Sequence, residues 1–267
     1  MKPFLLSAAL ASITTTVSHA ALVAQWDFEE GSGTTTTETV SSTVTDAFGT
    51  GVSWSTDTPG TASTYSLSYP GTSAGNVRTN LDAATVGISG TGAKTITGWI
   101  KSGDTAGITR MFFGWSPTNG TGAGNDLRIG IDGSGFLRLE VSSGFALYNN
   151  VALDDNVWHM VGLVMDASEN TQTVQFYIDG NLVNPTSSGA RAINTSGTSA
   201  DSLRDDIYLG IGNPQGTQQW AGLLDDVRIY NSALDDTALD GIYSAIPEPA
   251  AALLGGLGLL TLLRRRR

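Results

Sequence analysis

Cysteine is absent from the 267-residue chain. No disulfide framework is therefore available, and none is needed, because a domain of this size can be held together by its core. Basic residues are scarce. Lys and Arg number 14 against 25 Asp and Glu, a formal charge of −11. That balance opposes binding to nucleic acid or anionic lipid. It suits an extracellular solute, a carbohydrate or a divalent cation, although solubility alone accounts for most of the acids. Histidine occurs only twice, at His19 and His159. Long amphipathic helical patterns and internal repeats are also missing, so one domain is the simplest count.

The two ends carry what the middle lacks. Met1-Lys2 gives a positive start, Phe4 to Val17 is mostly apolar, and Ser18-His19-Ala20 offers small residues at the positions a signal peptidase reads. Cleavage is expected after Ala20. At the other end Pro247-Glu248-Pro249 precedes Ala250 to Leu263, 14 residues without a charge, and then Arg264, Arg265, Arg266 and Arg267. As a helix that run rises about 21 Å, short of the roughly 30 Å of a bilayer core. It is a poor permanent span with a positive block that stays on the cytoplasmic side. Without the processed ends, 9 of the 14 basic residues (losing Lys2 and the four terminal Arg) and 24 of the 25 acids (losing Glu248) remain. The difference, 9 − 24, brings the mature part to −15.

The ordered Pro-Glu-Pro, apolar run and arginine cluster resemble the PEP-CTERM sorting tail of Gram-negative bacteria. That resemblance implies an exosortase-type membrane protease as partner, transient inner-membrane insertion and release toward the cell surface or extracellular matrix. An ordinary C-terminal membrane anchor is the alternative. The organisation expected is a signal peptide over 1–20, one domain over 21–244 and a sorting segment over 245–267, with a signal helix and a hydrophobic helix at the ends.

Between the signals, short alternating or apolar runs are separated by Gly, Asn, Asp, Ser and Thr, the pattern of an all-β sandwich or barrel. In Thr173 to Ile178, Val174, Phe176 and Ile178 face one way and Thr173, Gln175 and Tyr177 the other. Asp179-Gly180 is a turn signal. Val157 to Met165 is apolar on both faces, as in a central strand, and should form a hairpin with the next. Further strands are expected over Leu22 to Phe28, Thr95 to Lys101, Arg110 to Trp115, Leu127 to Ile131, Phe136 to Val141, Ile207 to Ile211 and Leu223 to Tyr230. Residues 31 to 64 read as long loops with one short strand around Val52 to Trp54.

The succession of motifs is specific. It runs Trp26-Asp27-Phe28-Glu29-Glu30-Gly31, Thr95-Ile96-Thr97-Gly98-Trp99-Ile100, Trp158-His159-Met160-Val161, Phe176-Tyr177-Ile178-Asp179-Gly180 and Leu223-Leu224-Asp225-Asp226-Val227-Arg228-Ile229-Tyr230. It resembles the LamG-like, or concanavalin A-like lectin/glucanase, jelly-roll domain across residues 22 to 243. The resemblance implies two stacked antiparallel sheets, one of them concave, with the first and last strands adjacent. It departs around residues 60 to 80, where only Tyr65 to Tyr69 stands for the second strand. It also implies a structural Ca²⁺ where the terminal strands meet, with Asp225 as the best-matched ligand.

Ca²⁺ takes six to eight oxygens from flexible acidic loops. Asp27, Glu29, Glu30 and Asp225 are candidate donors, with the Gly31 carbonyl beside them. Simple alternation puts Asp225 on the face of Val227 and Ile229, and Asp226 beside Arg228. Glycoside hydrolysis needs two carboxylates flanking the bond. No strand carries alternating Glu and Asp, and Asp154-Asp155 and Asp205-Asp206 are adjacent pairs that read as turns. A Ser-His-Asp set would have to use His159, at the start of a buried strand. Zinc lacks ligands, and Gly120 to Gly124 is not followed by the Lys-Ser/Thr of a phosphate loop. Catalytic residues are therefore expected to be none. Binding is the surviving class, with Trp115, Asn119, Asn125, Asp126, Asn213 and Trp220 as loop candidates, and Trp26, Trp99 and Trp158 read as core. The expected function is non-catalytic adhesion or binding of extracellular polysaccharide. A glycan-active hydrolase or a ligand-free matrix component are the rivals.

Overall fold

The computed structural model describes residues 21–41, 44–60, 62–103, 107–117, 125–196, 205–212 and 218–245. The segments read as a signal peptide and as a sorting motif with four arginines, together with Asn119, Asn213 and Gly120 to Gly124, lie outside the described residues. No helix among the described residues is long and apolar enough to cross a membrane.

Two antiparallel sheets stack face to face. The eight-stranded sheet runs β14 (Asn181–Val183), β13 (Gln175–Ile178), β12 (His159–Met165), β7 (Lys94–Lys101), β17 (Ala221–Tyr230), β5 (Ser66–Pro70) and β4 (Ser53–Ser55), with β1 (Leu22–Trp26) also paired to β17. The seven-stranded sheet runs β15 (Ser187–Gly189), β11 (Gly144–Ala152), β10 (Phe136–Val141), β9 (Leu127–Ile131), β8 (Arg110–Trp115), β16 (Asp206–Leu209) and β6 (Val77–Asp82). A small ladder of β2 (Thr35–Thr37) and β3 (Thr45–Ala47) stands apart, reaching β6 through a bridge from Phe48 to Val77. This is the expected jelly-roll sandwich, with its first and last strands neighbours.

Alternation explains the core. Leu127, Ile129, Ile131, Leu137, Leu139 and Val141 point inward from β9 and β10 and meet Ile96, Ile100, Val161 and Leu163 of the opposing sheet. Val174, Phe176 and Ile178 join them, whereas Tyr177 faces the other way and is equally buried. Its cover is α1 (Asp236–Ser244), a short helix that the sequence pattern did not announce. Asp235 caps it by accepting from the Ala238 N–H. Leu239 and Ile242, one turn apart, press onto Trp99, Met160, Val164 and Tyr177 on the outer face of the eight-stranded sheet. β12 is thus covered on both sides, as its apolar run requires.

Of the boundaries that differ from expectation, two do so for a local reason. β1 stops at Trp26 because Phe28 adopts φ 54° and turns the chain out. β12 begins at His159 because Asn156, at φ 64°, closes the preceding turn. Asp179 and Gly180, at φ 51° and 76°, make the two-residue hairpin between β13 and β14, where Ile178 pairs with Asn181.

Candidate functional site

The terminal strands meet at a split in the eight-stranded sheet. One edge of β17 pairs with β5 over Ala221 to Leu224, and then with β1 over Val227 to Tyr230. Asp225 and Asp226 fall in the gap. On the opposite edge the ladder to β7 jumps from Asp225 with Trp99 to Arg228 with Thr97, and Asp226 takes φ 45°. This bulge overturns the expected alternation. Trp99 and Thr97 are two apart on one strand and share a face, so Asp225 lies on the Arg228 face while Val227 enters the core.

Around the gap, Asp27, Glu29, Ser63, Asp225 and Asp226 line a cavity of about 210 Å³. Ser63 Oγ lies 2.6 Å from Asp225 Oδ2 and 3.0 Å from Glu29 Oε1, so one hydroxyl proton serves two carboxylates. The Thr64 N–H donates to Glu29 and the Asp226 N–H to Asp225. Burial pushes the Asp225 carboxyl up to about 8, partly opposed by the Ser63 bond and reinforced by Asp226 and Glu29. Asp27 is raised by burial and by Glu30, Glu29 and Asp226, against a backbone bond from Glu29. Asp226 is committed elsewhere, to Arg228 at 2.8 Å and to the Gln25 amide at 2.7 Å.

Three of the five expected metal donors, Asp27, Glu29 and Asp225, therefore share one cavity. Gly31 does not line it; it sits under the Tyr65 ring, where a Cβ would come within 2.3 Å. Glu30 turns away and accepts from the Thr37 N–H at 2.6 Å. The donor chemistry suits a hard cation. Even so, no three His, Asp or Glu side chains among the described residues form a group that could hold a metal.

His159 is held at both ring nitrogens, by Asp179 at 2.8 Å and by Asp155 at 3.3 Å. Burial disfavours its charge, but the two carboxylates outweigh that and raise its pKa above the usual histidine value. Asp179 also accepts from the Met160 N–H, so the histidine ties the β13–β14 turn to β12. Neither ring nitrogen is left facing a serine.

The aromatic candidates are corrected. Trp115 is 2 % exposed and Trp220 fully buried, both as parts of the core, so neither offers a ring to a sugar. Trp115 Nε1 donates to the Asp205 carbonyl and Trp220 Nε1 to that of Leu223. Asp126 is fully buried, accepting from Ser142 and lying 3.6 Å from Arg128. Asn125 is half-buried. Trp26 and Trp99 are core as expected, but Trp158 is only half-buried, its indole N–H donating to Asp57 at 2.8 Å. Asp206 is a strand residue rather than part of a turn, opening β16 and pairing with Arg78.

A polar network that sequence reasoning did not single out occupies the outer face of the seven-stranded sheet. Glu140 of β10 is engaged by Arg138 Nε at 2.6 Å, by Arg128 Nη1 at 3.2 Å and by Gln218 Nε2 at 2.7 Å. Arg128 Nη1 returns a bond to Gln218 Oε1 at 3.1 Å, and the Arg138 guanidinium lies 4.7 Å from the centre of the Phe145 ring. Strand register puts Arg128, Glu140 and Phe145 in one row across β9, β10 and β11. The alternation in Phe136 to Val141 was the available signal, since it leaves Arg138 and Glu140 together on the face opposite the core.

Fold and sequence then agree on the class: the chain belongs to the concanavalin A-like lectin/glucanases superfamily, whose sequence profile matches residues 70–239. Among solved structures, Domain 4 of AbnA, a GH43 extracellular arabinanase from Geobacillus stearothermophilus, in complex with arabinotriose, aligns at 16 % identity and TM-score 0.56, covering 84 % of this chain and 99 % of that one. The binding domain of Paraclostridial Mosquitocidal Protein 1 aligns at 12 % and 0.56, covering 84 % of this chain and 52 % of that one. Trypanosoma rangeli sialidase in complex with the inhibitor DANA aligns at 13 % and 0.53, covering 83 % and 32 %. The chain thus spans about half the length of the mosquitocidal binding domain and a third of the sialidase. At these identities the likeness is one of fold. Comparison with curated proteins gives no match.

Proposed function

We propose that this is an exported, non-catalytic protein of the cell surface or extracellular matrix that binds carbohydrate. The observation that carries the reading is the network on the outer face of the seven-stranded sheet. Glu140 is committed to two guanidinium groups and an amide, and the nearby Asp126 is buried against Arg128 and Ser142. Such a fixed array of guanidinium, amide and carboxylate groups suits hydrogen bonding to sugar hydroxyls. The superfamily and the arabinotriose-bound neighbour support the ligand class.

In the same reading the acidic cavity is where a structural calcium ion would enter, and Asp27, Glu29 and Asp225, which form no metal-ready group as they stand, would have to draw together as its carboxylate donors. Such an ion would stabilise the ionised form of Asp225 against its burial and tie the exit of β1 and the entry of β5 to β17. Export uses the two terminal segments, with signal peptidase and an exosortase-type protease as processing partners.

A glycan array probed with the purified protein tests the reading, and retention of defined glycans is expected. No retention would favour a ligand-free matrix component, and release of reducing ends from a polysaccharide would favour a hydrolase.

A further inference from the structure

We infer that two copies of this chain associate through the flank built by β11, β14 and β15, about a two-fold axis that crosses β15. The inference does not depend on the carbohydrate-binding reading. Both sheets end on this flank, one at β14 and the other at β15. It is nearly free of charge. Residues 142–153 and 170–190 hold a single charged residue, Asp179, in a chain where 15 % of residues are charged. Asp179 is itself tied to His159. The opposite flank differs, with exposed Asp57 following β4 and exposed Glu30 bonded to Thr37 of β2. Two copies of a strongly acidic protein repel wherever their acids face each other. On the neutral flank they can touch.

That flank carries a projection and a recess of matching chemistry. Leu137 pairs with Tyr148 but its neighbour Phe136 with Ala152, so Asn149, Asn150 and Val151 have no partner on β10 and form a bulge. All three are exposed, Val151 at 45 %. The bulge is fastened to the start of β15, since the Asn149 N–H donates to Thr186 Oγ1 at 3.0 Å and that hydroxyl donates to Asn149 Oδ1 at 2.5 Å. At the other end of β15 the chain runs beside the turn before β13, the Thr171 N–H donating to the Arg191 carbonyl at 2.9 Å. There Asn170, Gln172, Ala190, Arg191 and Ala192 line an open cavity of about 420 Å³. The methyls of Ala190 and Ala192 suit the Val151 side chain, and the amides and guanidinium suit the Asn150 amide.

The spacing makes the partner a second copy. Thr186 beside the bulge and Ala190 in the recess are four residues apart along extended chain, about 13 Å. A two-fold axis between them lays the bulge of each copy on the recess of the other, the self-complementary pattern of a closed dimer. Side chains carry the contact, because Thr171 Oγ1 donates to the Gly189 carbonyl at 2.7 Å and stops β15 from being extended by another strand. β11 has 9 residues; at about 30 Å long and about 20 Å deep, the flank offers on the order of 600 Å² per copy, the low end of a specific interface.

Sedimentation equilibrium of the purified chain from roughly 1 to 200 µM tests this, and a dimer dissociating in the micromolar range is expected. Raising salt from roughly 50 to 500 mM should tighten it, because salt screens the repulsion that opposes association. Val151→Asp and Ala192→Lys, both at exposed positions, should each raise the dissociation constant about a hundredfold, a tenfold loss for one unpaired charge repeated twice about the axis. Mixed in equal amounts, the two variants should pair at least as tightly as wild type. One contact then brings the new carboxylate to the new ammonium, and the other is unchanged. Val40→Asp, 44 % exposed beyond β2, should associate as wild type. A monomer throughout the range, a dimer indifferent to both flank substitutions, one broken by Val40→Asp or one weakened by salt overturns this surface. Failure of the mixture to pair overturns the exchange of bulge and recess about a two-fold axis.

Discussion

Replacing Asp46 by Asn should stabilise the protein, and more so as pH rises. Asp46 of β3 is fully buried, accepting from the Trp26 indole N–H at 2.7 Å and from the Asn80 amide at 3.3 Å. Burial raises its carboxyl to about 7, the two hydrogen bonds opposing. The folded chain therefore keeps a proton that the unfolded chain releases near its ordinary 3.8. Stability falls as pH climbs between those values and stays low above them. The span corresponds to roughly 4 kcal/mol at pH 8, of which roughly 2–3 kcal/mol accrues above pH 5. In the variant, the amide oxygen can still accept from Trp26, and Asn80 can turn its own oxygen toward the new NH₂. Losing the charge-assisted character of the Trp26 bond costs about 1 kcal/mol. Denaturant unfolding of both proteins at pH 5 and pH 8 gives the difference directly, and other titrating groups cancel between them. The gap in favour of the variant should widen by roughly 2 kcal/mol. A gap that stays constant with pH, or a variant less stable at both, would refute an ionised carboxylate buried against Trp26.

Three other expectations follow from the same contacts. His159, raised by Asp179 and Asp155, contributes stability that is complete below its ordinary 6.5 and lost as pH rises through its folded value. Asp179→Asn should lower that value in an NMR titration, and an unchanged imidazole would dismiss the pairing. Leu239→Ala removes the fully buried side chain by which α1 grips the sheet at Gly162 and should cost about 2–4 kcal/mol by denaturant unfolding. A loss below 1 kcal/mol would mean that α1 is a loose appendage. For the acidic cavity, chelator should lower the melting temperature and calcium restore it. No change on chelation, with no metal by elemental analysis, would discard the ion.

Strands whose two faces differ sharply were legible in the residues. Leu127–Ile131 and Phe136–Val141 have the boundaries their patterns give, while Arg110–Trp115 was legible as a short apolar run buried on both faces. β11 escaped because its second half, through Asn149 and Asn150, is exposed, which dilutes any period. β6 alternates strictly, with Val77, Thr79 and Leu81 inward, but escaped because Thr79 takes an inward position and leaves only two apolar residues to mark the buried face. The adjacency of β1 and β17 came from the resemblance alone, since residues two hundred apart leave no local trace. That acidic side chains gather where the terminal strands meet was legible by residue type. The bulge that turns Asp225 was not, because it arises from β17 exchanging one edge partner for another. Trp115 and Trp220 misled because loop-flanking aromatics and core aromatics look alike in sequence.

β17 is the ninth decade of a chain whose sheet it completes, and it joins three strands made long before it: β1, β5 and β7. Until Tyr230 is available, those strands have no common neighbour and the sheet has a missing middle rather than a frayed rim. Assembly must wait for contacts spanning nearly the full length, which predicts slow folding in the millisecond-to-second range of high contact order. A chain shortened before Ala221 would not be a smaller version of this molecule; it would expose several unpaired edges at once and aggregate.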